Sequence, residues 1–163
     1  MKTLFKNRNF IVLAIFIIVA VAFAVRVYHF SDWLYFQGDQ ARDALLVTEA
    51  YGGGPGNLPL LGPRAGGTST RLGPVFYYFQ YISVLIFGNR SPAVFAFPDL
   101  FFSILTIPLL YLFLRKFFKS GWSILLTLLY SVSLYTVQYS RFAWNPNSLP
   151  FFNLLFFFAF FAV

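Results

Sequence analysis

A series of long apolar runs constrains this chain more than any other feature of its sequence. The runs cover residues 10–25, 73–87, 93–114, 122–137 and 149–163. Hydrophobic residues make up 59% of the chain and charged residues only 10%, whereas a soluble domain carries roughly 25% charge. A surface that faces lipid must be apolar, and its backbone must satisfy its own hydrogen bonds, as helices do. The sequence therefore predicts an all-α fold, a polytopic transmembrane helix bundle.

The first apolar run follows a basic N-terminus that includes Lys2 and Lys6, and it has two interpretations. Ala22-Phe23-Ala24 resembles the cleavage site of a secretory signal, which would be removed. Apolar residues continue beyond it and further runs follow, which favours an uncleaved span over about residues 9–29. Arg26 and His29 near its end are expected to extend their polar groups to the membrane surface.

Basic residues at the ends of the runs predict the topology, because cytoplasmic loops carry an excess of Lys and Arg. If the N-terminus is cytoplasmic, Arg115, Lys116 and Lys119 face the cytoplasm only when the run at 73–87 does not cross. That run is short for a crossing and rich in side chains with an apolar body and a polar tip, which favour the headgroup level. These are Tyr77, Tyr78, Gln80 and Tyr81. We therefore expect an interfacial helix on the outer side over residues 74–87, with a true crossing as the alternative.

The remaining spans are predicted over residues 93–114 and 121–138, followed by a truncated span at 149–163. At about 1.5 Å of rise per residue, the last run covers only about 22 Å of a hydrocarbon core roughly 30 Å thick. The chain is thus expected to be part of a longer, multi-pass protein of the cell membrane. This part alone is not expected to be active.

The outer segment, residues 31–92, contains four of the five acidic residues, since only Asp99 lies elsewhere. A helix is predicted over residues 39–51, because Gly38 precedes it and a Gly-Gly-Gly-Pro sequence ends it. Asp39, Arg42 and Asp43 are spaced i, i+3 and i+4, and therefore share one face. They are either a chemical site or a helix cap with a surface ion pair.

Two further parts of the outer side can bind anions. Arg64 and Arg71 flank a Gly- and Thr-rich loop whose amides, together with the two guanidinium groups, can hold a phosphate, although a flexible connector has the same composition. Arg141 lies in the second outer loop together with Asn145, a neutral hydrogen-bonding residue that can also start a helix.

Several classes of chemistry are excluded or not expected. The chain has no Cys and one His, which excludes thiolate chemistry and a multi-His metal site. We predict no metal and no cofactor. The net charge of +7 comes from bases at the ends of apolar runs, so the expected partner is membrane lipid and not nucleic acid.

In their order and spacing, these parts resemble the membrane-integral GT-C glycosyltransferases. The resemblance is to the group that contains the protein O-mannosyltransferases and the lipid A aminoarabinose transferase, and it covers nearly the whole chain. The matching segments are Gly38-Asp39-Gln40-Ala41-Arg42-Asp43, Leu72-Gly73-Pro74-Val75-Phe76-Tyr77-Tyr78, Phe87-Gly88 and Ser140-Arg141-Phe142-Ala143-Trp144-Asn145-Pro146.

The resemblance implies inverting transfer of a hexosyl or pentosyl group from a polyprenyl-phosphate donor on the periplasmic or extracellular face. The acceptor is an unknown lipid, glycan or protein. Asp39 matches the family's catalytic base, and Asp43 is a second catalytic candidate. Arg71, Arg141 and Arg42 are the candidates for binding the substrate phosphate.

The chain departs from the family pattern at two positions. Many relatives have Asp-Glu where this chain has Asp39-Gln40, and many have an Asp where it has Asn145. Some members bind a divalent metal with acids from both outer loops, and these departures make a tight metal site less expected here. They also leave open a non-catalytic membrane scaffold of the same architecture. A piece of a transporter or flippase is a separate alternative, which the sequence disfavours because Pro108 is the only clear proline in the middle of a span and no acid is central.

Overall fold

Helices dominate the computed structural model, which describes residues 8–66 and 68–161. The α helices are α1 (Arg8–Val27), α2 (Gly38–Gly53), α3 (Val75–Phe87), α4 (Pro92–Leu114), α5 (Ser120–Val132), α6 (Leu134–Gln138) and α7 (Leu149–Phe160). Short 3₁₀ helices cover Pro55–Asn57 and Asn145–Ser148. Among the residues described, extended pairing is limited to one isolated antiparallel bridge, between Arg64 and Arg71. The all-α prediction is confirmed.

Within the described ranges, α1 and α4 are the helices long and apolar enough to cross a membrane. They contain 20 and 23 residues. At about 1.5 Å per residue they extend about 30 and 35 Å, which matches a hydrocarbon core of roughly 30 Å. The apolar helices α3 and α5 are shorter, with 13 residues each.

The predicted segments 39–51, 74–87 and 93–114 correspond to α2, α3 and α4. The first span was expected over residues 9–29, but the helix α1 ends at Val27. His29, two residues later, has a left-handed φ of 48°, which is not helical. α7 begins at Leu149 as expected. Lys2, Lys6, Gly67 and residues 162–163, to which the sequence interpretation also referred, lie outside the described residues.

The segment predicted as a single span over residues 121–138 is broken at Ser133, where ψ is 127°. α5 ends before this residue and α6 starts after it. The hydroxyl of Thr136 donates to the carbonyls of Tyr130 and Ser133 at 2.7 and 3.0 Å, in addition to the backbone bonds that these carbonyls accept from Ser133 and Val137 at 3.3 and 3.0 Å. Hydropathy does not reveal such a break, because the residues on either side remain apolar.

The side chain of Arg26 is enclosed by protein, whereas its position near the end of α1 led us to expect an exposed polar group. It is fully buried, and its guanidinium bonds α4 through Ser103 Oγ at 2.9 Å. The same group donates to the carbonyl of Ser131 at 2.7 Å and lies 3.3 Å from the hydroxyl of Thr136. The break at Ser133 thus supplies acceptors that hold Arg26 inside the bundle.

α3 and α4 form an antiparallel hairpin, and its turn has clear sequence determinants. Gly88 ends α3 in the left-handed conformation, with φ of 64°, which glycine adopts without steric cost. Pro92 occupies the first turn of α4, where its missing N–H has no consequence. Ser83 then ties the helices together by donating to the carbonyl of Val94 at 2.6 Å.

Two of the four polar residues that favoured the headgroup layer, Tyr77 and Gln80, face protein, whereas Tyr78 and Tyr81 are half-buried. Tyr77 is 2% exposed and Gln80 is fully buried. The strongly exposed residues of α3 are instead apolar: Val75, Ile82, Leu85, Ile86 and Phe87. Two arguments for an interfacial α3 remain, its short length and the basic residues of the 115–119 turn. The interfacial placement therefore stays a prediction.

Candidate active site

The first turn of α2 places Asp39 at the surface and Gln40 inside. Gln37 precedes the helix, and its backbone N–H donates to the side-chain oxygen of Gln40 at 3.1 Å, one half of a capping box. Gln40 is 4% exposed. The residue that departs from the Asp-Glu pattern of many relatives therefore has a structural role here, since it closes the start of α2.

Arg42 lies between the two carboxylates of α2 and bonds both. Its Nη1 lies 2.8 Å from Asp39 Oδ1, and its Nε and Nη2 lie 2.9 and 2.7 Å from Asp43 Oδ1. The side chain of Asp39 is 63% exposed and that of Asp43 is 4% exposed. The two acids are thus brought together, but in different environments.

Asp43 is held from two sides. Besides Arg42, the hydroxyl of Tyr77 on α3 donates to Asp43 Oδ1 at 3.3 Å. Burial raises the pKa of the Asp43 carboxyl, and the hydrogen bonds from Arg42 and Tyr77 oppose this only in part. Burial also raises the pKa of Tyr77 to about 12, so its hydroxyl keeps the proton that it donates. Asp43 joins α2 to α3, whereas Asp39 remains open to solvent.

Asp39 lines a cavity of about 560 Å³, which we call the aromatic cavity. Its walls come from the start of α2 and from the second predicted outer loop: Tyr35, Gln37, Gly38, Asp39, Gln40, Gln138, Tyr139, Phe142 and Trp144. Tyr139, Phe142 and Trp144 form a cluster with ring centroids 5.5 to 6.1 Å apart. A carboxylate, side-chain amides and aromatic faces therefore meet in one space, a combination typical of small-molecule sites.

A second cavity of about 410 Å³, which we call the arginine cavity, is lined by Arg42, Arg64 and Arg71. A short hairpin brings the last two together, with Leu72 N–H bonded to the Pro63 carbonyl at 2.9 Å and the antiparallel bridge between the arginines themselves. Since Arg42 lines this cavity and bonds Asp39 of the other, the two cavities meet at that ion pair.

Glycine at position 62 is required for this hairpin. A Cβ there would lie 2.4 Å from the carbonyl oxygen of Gly73 and 2.7 Å from that of Leu72, closer than any side chain tolerates. The Arg-flanked loop is evident from the sequence, but the close approach of its two ends is visible only in three dimensions.

Arg141 lies apart from both cavities. Its guanidinium donates to the carbonyls of Tyr28 and His29 at 2.8 and 2.7 Å, and to that of Val25 at 3.3 Å. It therefore caps the carboxyl end of α1, where a cation is favoured by the helix dipole.

Asn145 starts the 3₁₀ helix Asn145–Ser148 and is partly buried. The residue before it, Trp144, donates its backbone N–H to Asp99 Oδ2 of α4 at 3.1 Å. From the sequence, Asp99 is an acid near the outer end of a predicted span and a candidate for function on that ground, but no sequence signal links it to this loop. Within the described part of the chain, no group of three or more His, Cys, Asp or Glu residues is placed to hold a metal ion.

Comparison with known families identifies the family of this chain. Residues 71–163, more than half of the chain, match the family model described as dolichyl-phosphate-mannose-protein mannosyltransferase. The chain belongs to this family. The resemblance to GT-C glycosyltransferases is thus confirmed, and with the apolar helices α1 and α4 it identifies a helical membrane protein of the glycosyltransferase class. No curated protein and no solved structure gives a match.

The family match begins at Arg71 and includes α3 to α7, Asp99 and the loop with Arg141 and Asn145. α2, with Asp39 and Asp43, precedes the matched residues. The assignment of these acids depends on the sequence resemblance and on the cavities described above.

Proposed function

We propose that the chain belongs to an enzyme that transfers a sugar from a polyprenyl phosphate to an acceptor hydroxyl, with Asp39 as the base. The observation that carries this proposal, within a family of glycosyltransferases, is the exposed Asp39 carboxylate in the wall of the aromatic cavity. A general base must be accessible to the group from which it takes a proton. Asp39 meets this condition and Asp43 does not.

In the proposed step, the acceptor oxygen attacks the anomeric carbon while the bond from that carbon to the phosphate oxygen breaks. The acceptor proton passes to the Asp39 carboxylate, and the electron pair leaves with the polyprenyl phosphate. Attack opposite to the leaving group inverts the anomeric centre. The aromatic cavity would receive the sugar ring, whose apolar faces pack on aromatic rings and whose hydroxyls bond carboxylates and amides.

The arginine cavity is the proposed site of the donor phosphate. One guanidinium group can bind two phosphate oxygens at once, and guanidinium groups stabilise the negative charge that develops on the phosphate as its bond to the sugar breaks. Arg42, Arg64 and Arg71 line this cavity beside Asp39. Arg42 thereby links the base to the leaving group, and Asp43 acts as the residue that positions Arg42.

Arg141 was predicted as a phosphate ligand as well, and this stays a prediction. Its three carbonyl partners favour a different role, the fixing of the α1 end beside the segment that leads to α2. In the topology we propose, the N-terminus is cytoplasmic and both cavities open on the outer side of the cell membrane.

Replacement of Asp39 tests the base directly. In the full-length protein, Asp39→Asn should lower kcat for transfer from a labelled polyprenyl-phosphate sugar by about 10²–10⁴-fold, the contribution typical of general base catalysis. Glu49→Gln is the matched control, because it makes the same change at an exposed position of the same helix. It should leave transfer unchanged.

If Asp39→Asn transfers sugar at the wild-type rate, Asp39 is not the base. A wild-type protein that transfers no sugar from any polyprenyl-phosphate donor, although correctly folded, would favour the non-catalytic scaffold instead.

A further inference from the structure

Asp99 is a carboxyl group buried inside the helical bundle near the N-terminal end of α4, and the proposed chemistry does not use it. It lies in the second turn of α4, is 1% exposed and bonds Trp144 through Oδ2. Its other oxygen, Oδ1, has no hydrogen-bond partner among the described residues. An acidic side chain in this setting costs free energy, so it is expected to have a function.

The partner of Asp99 connects it to the aromatic cavity. Trp144 is one of the cavity's aromatic residues, and its ring lies 6.1 Å from that of Phe142 and 6.0 Å from that of Tyr139. The backbone of Trp144 is extended, with φ of −151°, so its N–H does not donate an intrahelical hydrogen bond. The carboxyl of Asp99 is the acceptor that α4 provides for it.

The rest of this loop is held by other groups. Asn147 donates to the carbonyl of Phe142 at 2.8 Å, which closes the loop on itself, and Arg141 ties its beginning to α1. Neither contact fixes Trp144 relative to α4. We propose that Asp99 is a positioning residue, which holds Trp144 and thereby the aromatic wall that faces Asp39.

This inference rests on the proposed function only for its kinetic consequence. The position of Trp144 is a property of the fold and can be measured without any substrate. This role requires an acceptor oxygen at this position but does not require a charge. Asn should therefore be able to perform the role of Asp99, whereas an apolar residue should not.

The kinetic test uses D99L, D99N and T106V in the full-length protein. D99L keeps the branched shape of the side chain but removes the acceptor, and it should raise KM for the labelled polyprenyl-phosphate sugar about tenfold, as expected for loss of one hydrogen bond to a carboxyl group. D99N should stay close to wild type. T106V removes another buried hydroxyl of α4, which bonds only its own helix at Phe102, and should leave KM unchanged.

A raised KM distinguishes positioning from simple destabilisation. A variant that merely unfolds in part contains less active enzyme, so its apparent kcat falls while KM stays constant. If D99L does not yield a folded species, D99A gives the same comparison with a smaller side chain.

The substrate-free test uses tryptophan fluorescence. The test needs Trp144 as the sole tryptophan, so Trp33 and Trp122 of this sequence, and any tryptophan elsewhere in the full-length protein, are replaced by Phe. D99L or D99A should increase iodide quenching of this residue, and D99N should not. Unchanged quenching and KM in the apolar variants would overturn the proposal, as would a loss in D99N equal to that in D99L. If the wild-type protein transfers no sugar, the proposed function fails, and quenching still decides the role of Asp99.

Discussion

The contact between Arg42 and Asp43 should show strong energetic coupling, which a double-mutant cycle can measure. Arg42 donates two bonds, of 2.9 and 2.7 Å, to an acid whose side chain is 4% exposed. One charge-assisted bond contributes roughly 1.5–3 kcal/mol when protected from water. Because the Arg42 side chain is 46% exposed, solvent screening reduces this, and we expect a coupling of about 1–2 kcal/mol.

The cycle compares Arg42→Ala in two backgrounds. In the wild-type background it leaves a buried carboxylate without its cation, so it should lower the free energy of unfolding by about 2 kcal/mol. In the Asp43→Ala background only the exposed pair with Asp39 is lost, which contributes roughly 0–1 kcal/mol. The assay is equilibrium unfolding of the full chain in mixed micelles, followed by circular dichroism at pH 7.

The pH dependence gives a second readout of the same contact. Burial raises the pKa of Asp43 above its usual 3.8, and Arg42 opposes this rise. A group whose pKa is raised by folding stabilises the fold below its unfolded pKa, and this stabilisation is lost as the pH rises through the folded pKa. Without Arg42 the pKa of Asp43 rises further, so the cost of Arg42→Ala should shrink as the pH is lowered.

Equal costs of Arg42→Ala in both backgrounds, at all pH values, would refute this account of the contact. Glu49→Ala serves as the control on the exposed face of α2 and should change stability by less than about 0.5 kcal/mol.

Two further predictions concern the arginine cavity. Gly62→Ala should destabilise the hairpin of this cavity, because the added Cβ would lie 2.4 Å from the carbonyl oxygen of Gly73. Gly66→Ala is the control and should not destabilise it, because a Cβ at that position meets nothing within 4 Å. Limited proteolysis of residues 59–73 would detect the difference, and equal cleavage of the two variants would contradict the prediction. Arg71→Ala should raise KM for the polyprenyl-phosphate donor about tenfold with a smaller effect on kcat, the loss expected for one guanidinium–phosphate contact. Arg90→Ala, which removes a cation from outside the cavity, is its control, and an equal effect of the two variants would argue against a phosphate site.

The helices themselves could be predicted from the sequence because their signals are local. Gly38 and the Gly-Gly-Gly-Pro stop predicted α2 over 39–51, and the structure gives Gly38–Gly53. Gly88 and Pro92 likewise mark the turn between α3 and α4. Long apolar runs and turn residues act within a few positions of the chain, so no knowledge of distant contacts is needed.

The position of polar groups relative to the bundle could not be predicted in this way. Arg26 was expected at the surface because it lies near the end of an apolar run. Gln80 was expected there because it lies among tyrosines. Both side chains are fully buried. Their burial depends on distant partners or neighbours, such as Ser103 and Ser131 for Arg26. Hydropathy carries no information about which helix lies next to which.

By itself the sequence determined the class of this protein, because long continuous apolar runs in a charge-poor chain are the pattern of membrane-spanning helices, which satisfy their own backbone hydrogen bonds. It also determined that Asp39, Arg42 and Asp43 share one helix face, since i, i+3 and i+4 spacing follows from helix geometry. Only the tertiary structure decided which acid is exposed and which is buried, which arginines share a cavity, and that Asp99 holds the loop opposite Asp39. Those properties depend on contacts between segments far apart in the chain, and no local pattern encodes them.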